Sequence, residues 1–195
     1  MLDDVCNEQH HKKNSIRFVK GSLLDQPGII VQQCNCVTVK AHGLSQAIKK
    51  VLPYADIYSQ RTAQTANTCT VKTRGIPGSC VLSVCSDNFT KPIAASLMGQ
   101  IAPGRPFQWA RVYKIDPSTD SPQIRLNYFR DALEKLLKAC QGSKDDERYK
   151  RISFPYLIGC GLAGGRWKDY LGTITDFAEK ASMHGISVFI CQLEK

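Results

Sequence analysis

The sequence predicts an α/β fold in which helices cover both faces of a largely parallel sheet. Short apolar or β-branched runs alternate along the chain with longer segments whose apolar residues recur at helical spacing. The chain has 195 residues, of which 43% are hydrophobic, and this suits one domain with a substantial core. The first residues are polar and lack an apolar stretch typical of a secretory signal. We therefore predict a flexible leader over residues 1–15 and a single domain over residues 16–195.

Two strands and a helix are predicted in the first part of the domain. Residues 16–20 alternate in polarity before a glycine, which predicts a strand, and residues 29–31 are consecutive β-branched residues typical of a strand buried on both faces. Amide and thiol side chains follow this second strand, where open α/β sheets bind ligands. A helix is predicted over residues 44–52, ended by Pro53. The side chains predicted for its buried face are Leu44, Ala47, Ile48, Val51 and Leu52.

Four further strands, the last of them at the end of the chain, and two helices are predicted in the second part of the domain. Residues 79–83, 93–98, 152–157 and 186–191 have the apolar or β-branched character of strands. Residues 101–120 predict a long surface loop, because prolines recur there. A helix is predicted to begin at Ser121 and Pro122, with Ser121 or Asp120 as its cap, and another begins near Trp167.

A glycine loop joins the strand at 152–157 to the last helix, in the stretch ISFPYLIGCGLAGGRW. Glycine allows backbone N–H groups to approach an anion closely, and the start of a helix adds partial positive charge. Neither the P-loop spacing nor the dinucleotide fingerprint is matched, since the acidic residue that the fingerprint needs would be Glu179, inside a helix. A flexible surface loop is the alternative for one glycine cluster. A second loop, residues 41–44 at the start of a helix, favours a phosphate-binding loop.

Charge and cysteine content restrict the ligand and the compartment. The net charge of +9 attracts anions, whether nucleic acid, acidic membrane or a phosphorylated ligand, but the basic residues form no block. Nine cysteines are present without a CxxC pair, so we expect no metal site and no cofactor. Free thiols favour a reduced, intracellular location, cytoplasmic or nuclear. No apolar run approaches the roughly 18 residues of a membrane span, so we expect no membrane association.

Three segments in order, FVKGSLL, VQQCNC with HGLSQAI, and FPYLIGCGLAGGRW, resemble the macrodomain, an ADP-ribose-binding family. The resemblance spans residue 15 to the end of the chain. The IGCGL sequence is most similar to the branch that contains terminal ADP-ribose protein glycohydrolases and ADP-ribose 1″-phosphate phosphatases. This resemblance implies a three-layer α/β/α sandwich around a mixed, largely parallel sheet, with an ADP-ribose cleft at the carboxyl ends of the strands.

The resemblance also implies a set of site residues. Ser22 and Leu23 would lie near the adenine. The distal ribose and the diphosphate would be held by Gln33, Asn35, Gly43 and Leu44 on one side. The opposite side would be formed by Ile158, Gly159, Cys160, Gly161, Leu162, Ala163 and Gly164. Asn35 and His42 are the candidate catalytic residues.

Three positions depart from the family pattern. Ser22 stands where many macrodomains have an aspartate that accepts from the adenine amino group, so selectivity for adenine is weakened or comes from Asp25. His42 stands within a run that is often glycine, which brings an imidazole near the distal ribose. Ala163 stands where a glycohydrolase with an IGCGLD loop has its aspartate, and Asp169 lies too far along the helix to replace it. Lysine–aspartate chemistry is therefore in doubt.

Three functions remain open on these residues. The first is a hydrolase that removes phosphate, an acyl ester or a protein carboxylate from the distal ribose, with Asn35 orienting ribose or water and His42 transferring protons. The second is a non-catalytic reader of ADP-ribose or ADP-ribosylated proteins. The third, motivated by the charge of +9, is a nucleic-acid-binding domain. We expect binding of ADP-ribose or a derivative by a monomer, with hydrolysis ahead of pure reading and nucleic acid last.

Overall fold

A computed structural model describes residues 15–143 and 145–194, and within them six strands form one sheet. The strands are β1 (Ile16–Lys20), β2 (Ile29–Asn35), β3 (Cys80–Ser83), β4 (Ile93–Gln100), β5 (Arg151–Pro155) and β6 (Ser187–Gln192). Their order across the sheet is β1-β6-β5-β2-β4-β3. Every neighbouring pair is parallel except β3 with β4, so the sheet is mixed and largely parallel. The leader predicted at the start of the chain lies, apart from Ser15, outside the described residues.

Helices pack on both faces of this sheet. They are α1 (Leu44–Val51), α2 (Ala110–Tyr113), α3 (Pro122–Gly142) and α4 (Trp167–Ser182). On one face, Phe129 of α3 and Ile174 of α4 belong to the same buried cluster as Val31 and Phe154 of the sheet. On the other face, Ile48 of α1 packs in a cluster with residues of β2 and β4. The predicted three-layer α/β/α sandwich is confirmed.

The second strand is longer than its apolar run predicts. Residues 29–31 begin β2, but the strand continues through four polar or thiol residues to Asn35. It can do so because the buried Gln32 Nε2 donates a hydrogen bond to Ser96 Oγ of β4 at 2.9 Å. The strand thereby carries Gln33 and Asn35 to the carboxyl edge of the sheet, next to the end of β5.

The predicted buried face of α1 is partly wrong. Ile48 and the following Leu52 are buried as expected, but Val51 is 53% exposed and Ala47 is exposed. Ser45 is buried in their place, with its Oγ 3.9 Å from the Cys34 thiol of β2. The helix therefore rests on the sheet through a narrower face than five apolar residues indicate, and that face includes a small polar residue.

Helix α3 begins where the sequence predicts, and the structure shows which of the two candidates, Ser121 or Asp120, caps it. Ser121 Oγ accepts from the Ile124 amide at 3.3 Å, and Pro122 occupies the first turn. Asp120 is instead buried against Arg125. The segment predicted as a continuous loop over residues 101–120 contains the short helix α2. None of the described helices combines the length and the apolar character that a membrane span needs.

Candidate functional site

A cleft of about 330 Å³ opens at the carboxyl ends of β2 and β5. Residues 42–45, which lead into α1, form one wall, and residues from the 155–163 loop form the other. Between them lie side chains from β2, the end of β4 and the loop that follows it. Two loops that are far apart in the sequence are thus brought to one cavity, in the place where parallel α/β sheets bind ligands.

The first wall of the cleft presents two backbone N–H groups that have no hydrogen-bond acceptor within the described residues. Gly43 precedes α1 with φ 56° and ψ −127°, a conformation that side chains disfavour, and its carbonyl accepts from the amides of Gln46 and Ala47. The amides of Leu44 and Ser45 have no acceptor within the described residues. These two N–H groups stand at the start of a helix on the wall of the cleft, so they are suited to an anion.

The loop that forms the second wall continues to Gly165 and contains four glycines, which differ in what requires a glycine there. A Cβ at Gly159 or at Gly165 would lie 2.3 or 2.5 Å from the buried ring of Tyr170. Gly164 has φ +69°, which favours glycine on its own. Gly161 has neither reason, because its φ is not in the left-handed region and no atom lies within 4 Å of its Cβ position. The open space beside Gly161 adjoins the cleft.

The second wall also presents unpaired donors. Within the part of the chain that the structure describes, the amides of Gly159, Gly161, Leu162 and Ala163 have no acceptor. All four residues line the cleft. Leu157, on the same wall, has φ 60°, a left-handed conformation that is unusual for a branched residue and is typical of functional loops. The loop is therefore shaped so that successive N–H groups remain available to a ligand.

Asn35 contributes a donor to the cleft and not an acceptor. Its Oδ1 accepts from the amides of Val37 and Thr38 at 3.1 and 2.9 Å, and from the Thr38 hydroxyl at 3.0 Å. These bonds fix the orientation of the amide, since only the oxygen can accept. Its Nδ2 is 3.5 Å from the Tyr58 hydroxyl and is the group left for a ligand.

Gln33 is fixed in place by a chain of amides. Its Nε2 donates to Gln100 Oε1 at 2.9 Å, and Gln100 Nε2 donates in turn to the Ala102 carbonyl at 3.0 Å. Gln33 Oε1 is buried and has no hydrogen-bond partner in the described structure. This oxygen is 2.8 Å from the position that a Cβ on Gly159 would occupy, so it packs beneath the glycine loop and is not exposed to the cleft.

The cleft offers few groups that could transfer a proton. His42 lines it with an exposed side chain that makes no hydrogen bond to the described residues. Of the residues that line the cleft, none is Asp, Glu, Lys or Arg. Tyr58 also lines it, but burial raises the pKa of its hydroxyl well above the ordinary value, so it stays neutral. The cleft can therefore recognise a ligand mainly through hydrogen bonds from neutral groups, and His42 adds one imidazole.

Not every predicted site residue lies in this cleft. Those that the structure brings together there are Gln33, Asn35, His42, Gly43, Leu44, Ile158, Gly159, Gly161, Leu162 and Ala163. Ser22 and Leu23 do not line it: Ser22 Oγ accepts from the Leu24 amide, and Leu23 is buried in the core. The Cys160 thiol donates to the Ile158 carbonyl, and burial raises its pKa to about 11. Gly164 lines a different cavity.

Eight residues that line the cleft were not predicted from the sequence: Ser45, Tyr58, Gln100, Pro103, Gly104, Pro155, Tyr156 and Leu157. Two of them, Gln100 and Tyr58, form hydrogen bonds with the predicted residues Gln33 and Asn35. Gln100 ends β4, so the rule that selected Gln33 and Asn35, polar residues at the carboxyl end of a buried strand, would have found it. Tyr58 lies in a short irregular segment after α1, where no sequence pattern indicates that it turns back towards β2. Its hydroxyl accepts from the Asn35 amide at 3.3 Å.

A buried ion pair lies behind the second wall. Arg125 of α3 and Asp120 form a salt bridge in which both side chains are almost fully buried. Arg125 Nη1 donates to the carbonyls of Gly104 and Ala163 at 2.6 and 3.4 Å, and both residues line the cleft. Behind them is a second cavity, of about 520 Å³, lined by the starts of α3 and α4. Arg125 therefore connects the loop after β4 with the glycine loop, between the two cavities.

No protein-family model and no curated protein sequence matches the chain. Solved structures do match it. The macrodomain of Mycobacterium tuberculosis DarG is 14% identical over 90% of this chain and 96% of its own, with a TM-score of 0.61. The macrodomain of Thermus aquaticus DarG is 21% identical over 90% of this chain and 97% of its own, with a TM-score of 0.59.

A macrodomain variant from Oceanobacillus iheyensis, solved with ADPR, is 13% identical over 90% of this chain and 83% of its own, with a TM-score of 0.54. Together these similarities show that the chain has the macrodomain fold, which confirms the fold that the three sequence segments indicated. The branch within the macrodomains stays a prediction.

Proposed function

We propose that the chain binds ADP-ribose, with the diphosphate lying between the two loops. The observation that carries this proposal is the convergence of unpaired amides from both loops on one cleft, beside the open space at Gly161. These amides belong to Leu44, Ser45, Gly159, Gly161, Leu162 and Ala163. Backbone N–H groups at a helix start and in a glycine loop commonly bind phosphate. The ADPR-containing macrodomain of the same fold supports the identity of the ligand.

One polar side chain fits the ribose part of this ligand. Asn35 Nδ2 is a donor with one long contact. A ribose hydroxyl can accept from it. The adenine is proposed to lie towards Ser22 and Leu23, beyond the residues that line the cleft.

The test is calorimetric titration with ADP-ribose of the wild type and of Gly161→Glu. Because the space beside Gly161 is open, this variant should fold, while its bulk and negative charge repel a diphosphate. The matched control is Gly172→Glu, which introduces the same charge on an exposed position of α4 that also has open space around it. We expect saturable binding by the wild type and by Gly172→Glu, and none by Gly161→Glu. No binding by the wild type would refute the proposal.

Hydrolysis of an ADP-ribose derivative is the second candidate function. It is favoured by His42 on the cleft wall, because histidine is the residue type that most often acts as a general acid or base. Against it stands the absence of a carboxylate among the cleft residues. On this balance a non-catalytic reader of ADP-ribose or ADP-ribosylated protein is favoured, which reverses the order that the sequence suggested.

Turnover assays separate these two functions. The substrates are ADP-ribose 1″-phosphate, O-acyl-ADP-ribose and ADP-ribosylated protein, and the variant is His42→Ala. If the chain is a hydrolase, this variant should lose turnover while it still binds ADP-ribose. Asn35→Ala is less informative, because it removes the acceptor of three hydrogen bonds that shape residues 35–38. Turnover that persists in His42→Ala would exclude the imidazole from the mechanism.

A further inference from the structure

Arg61 lies against the carboxyl end of β2, in a segment for which the sequence indicated no function. Only 9% of its surface is exposed. Nη1 donates to the Thr38 carbonyl at 2.6 Å, and Nη2 donates to the Asn35 carbonyl at 2.8 Å. The guanidinium carbon is 4.6 Å from the centre of the Tyr58 ring. Arg61 thus contacts two residues, Asn35 and Tyr58, that themselves line the cleft.

The guanidinium of Arg61 forms no ion pair with the residues that the structure describes. Among the described residues, no carboxylate oxygen lies within 4.0 Å of its guanidinium. Carbonyl oxygens and an aromatic face stabilise such a cation, but they leave its full charge in place. Removing an ion from water costs several kcal/mol, so buried charges are usually paired. A positive charge left without a partner next to a cavity is suited to an anionic ligand.

The field of Arg61 reaches the groups around it. Burial is the largest influence on the thiols of Cys34 and Cys36 and raises the pKa of both, while Arg61 acts in the opposite direction. The cleft is lined by no lysine or arginine of its own. Because Arg61 is buried and contacts residues that line the cleft, its charge acts on the cleft with less screening than a charge on the surface.

We propose that Arg61 is the specificity-determining residue that makes the cleft prefer a diphosphate to a neutral nucleoside. It does so through its charge and without direct contact, whereas the loop amides provide the hydrogen bonds. This inference rests on the proposed function, because it assumes that the anion lies in the cleft between the two loops. The purely structural alternative is that Arg61 only holds the carbonyls of Asn35 and Thr38 in place.

The experiment titrates the wild type, Arg61→Lys and Arg61→Gln with ADP-ribose, with inorganic pyrophosphate and with adenosine, the last by NMR. Arg61→Lys keeps the charge and loses the planar fork, whereas Arg61→Gln keeps one donor group and loses the charge. For Arg61→Gln we expect affinity for ADP-ribose and pyrophosphate to fall about tenfold or more, with unchanged affinity for adenosine. Arg61→Lys should stay within about threefold of the wild type for all three ligands. Thermal unfolding of each variant checks that it is folded.

Each outcome decides between the alternatives. Equal loss of ADP-ribose and adenosine in Arg61→Gln, or loss of neither, would overturn the electrostatic role. If Arg61→Gln does not fold, Arg61→Lys decides, since a tenfold loss of pyrophosphate affinity in a folded variant that keeps the charge also overturns it. Binding of pyrophosphate but not of ADP-ribose by the wild type would refute the proposed function alone, and the variants would still be compared on pyrophosphate. Binding of neither anion would refute both.

Discussion

Two buried arginines each contact residues that line the cleft, and they differ in how their charge is balanced. Arg125 is held against Asp120 and donates to carbonyls of the loop after β4 and of the glycine loop. Arg61 donates in the same way to the carbonyls of Asn35 and Thr38, but without a carboxylate. The same type of side chain therefore fixes loop geometry in one place and leaves a charge without an ion-pair partner beside a residue of the cleft in the other.

The balanced arginine, Arg125, holds two loops at once, the loop after β4 and the glycine loop. Asp120 also accepts from the amides of Ile101 and Ala102, at 2.9 and 3.3 Å, so the ion pair has nearly all of its hydrogen-bonding groups satisfied. Such a pair adds little net stability compared with apolar residues. Removing only one of its two members is nevertheless costly, because the other charge then stays buried without a partner. Loss of Arg61 would leave no buried carboxylate without a cation among the described residues, so it does not carry the same energetic cost. The contrast predicts different responses to similar substitutions.

The largest effect is expected for Arg125→Met. It leaves the carboxylate of Asp120 buried without a cation, so the free energy of unfolding should fall by about 3–5 kcal/mol. Urea denaturation measures this change. The double variant Asp120→Asn, Arg125→Met removes the isolated charge and should recover part of the loss. A single variant that loses less than about 1 kcal/mol would mean that Arg125 and Asp120 are not coupled in this way.

The next effect concerns the glycine loop that Arg125 holds through Ala163. A Cβ at Gly165 would lie 2.5 Å from the Tyr170 ring and 2.7 Å from the Gly159 carbonyl, so Gly165→Ala should destabilise by about 2–3 kcal/mol. Gly161→Ala meets no atom within 4 Å and should change stability by less than about 0.5 kcal/mol. Equal losses in both variants, measured by urea denaturation, would show that the two ends of the loop are equally constrained.

A smaller loss of stability is expected for Arg61→Gln. Two carbonyls lose a charged donor, but no isolated carboxylate remains, so the free energy of unfolding should fall by about 1–2 kcal/mol. Chemical denaturation of this variant beside Arg125→Met gives the comparison directly. A loss as large as that of Arg125→Met would mean that an acidic group balances Arg61 after all.

The smallest effect is a pH dependence in the segment that carries Arg61. Burial alone would raise the pKa of Asp56, but Lys49 and the amides of Tyr58 and Ser59 outweigh it and hold this pKa below its ordinary value. A lowered pKa stabilises the fold above the ordinary aspartate value, about 4, and the contribution disappears as pH falls through the folded value. The stability difference between the wild type and Asp56→Asn, up to about 1 kcal/mol at pH 7, should therefore shrink below pH about 4. A difference that does not change with pH would contradict this assignment.

The sequence predicts the parts of this molecule that depend on local patterns. The β-branched run at residues 29–31 indicates the central strand, and the glycines between 159 and 165 indicate the second wall of the cleft. Polar residues placed after a buried strand indicate Gln33 and Asn35, because the carboxyl edge of a parallel sheet is shared by several strands. These features require only spacing and residue type.

Features that depend on contacts between distant segments could not be predicted. Arg61 lies in a polar stretch without periodicity, and its burial depends on carbonyls 23 and 26 residues earlier in the chain. Asn35 was expected to orient ribose or water, but its oxygen is already bonded to Val37 and Thr38, which no composition reveals. Ser45 is buried where Ala47 was expected, because the Cys34 thiol of a neighbouring strand lies beneath it.

The close approach of the two walls has a consequence for rates. Leu162 Cδ1 is 3.4 Å from the position that a Cβ on Gly43 would occupy, so this largely exposed side chain reaches from one loop to the other. A molecule lying under that contact has to displace a leucine side chain both to arrive and to depart. Truncation to alanine would then accelerate association and dissociation together, and residence time would shorten while the equilibrium constant changes little.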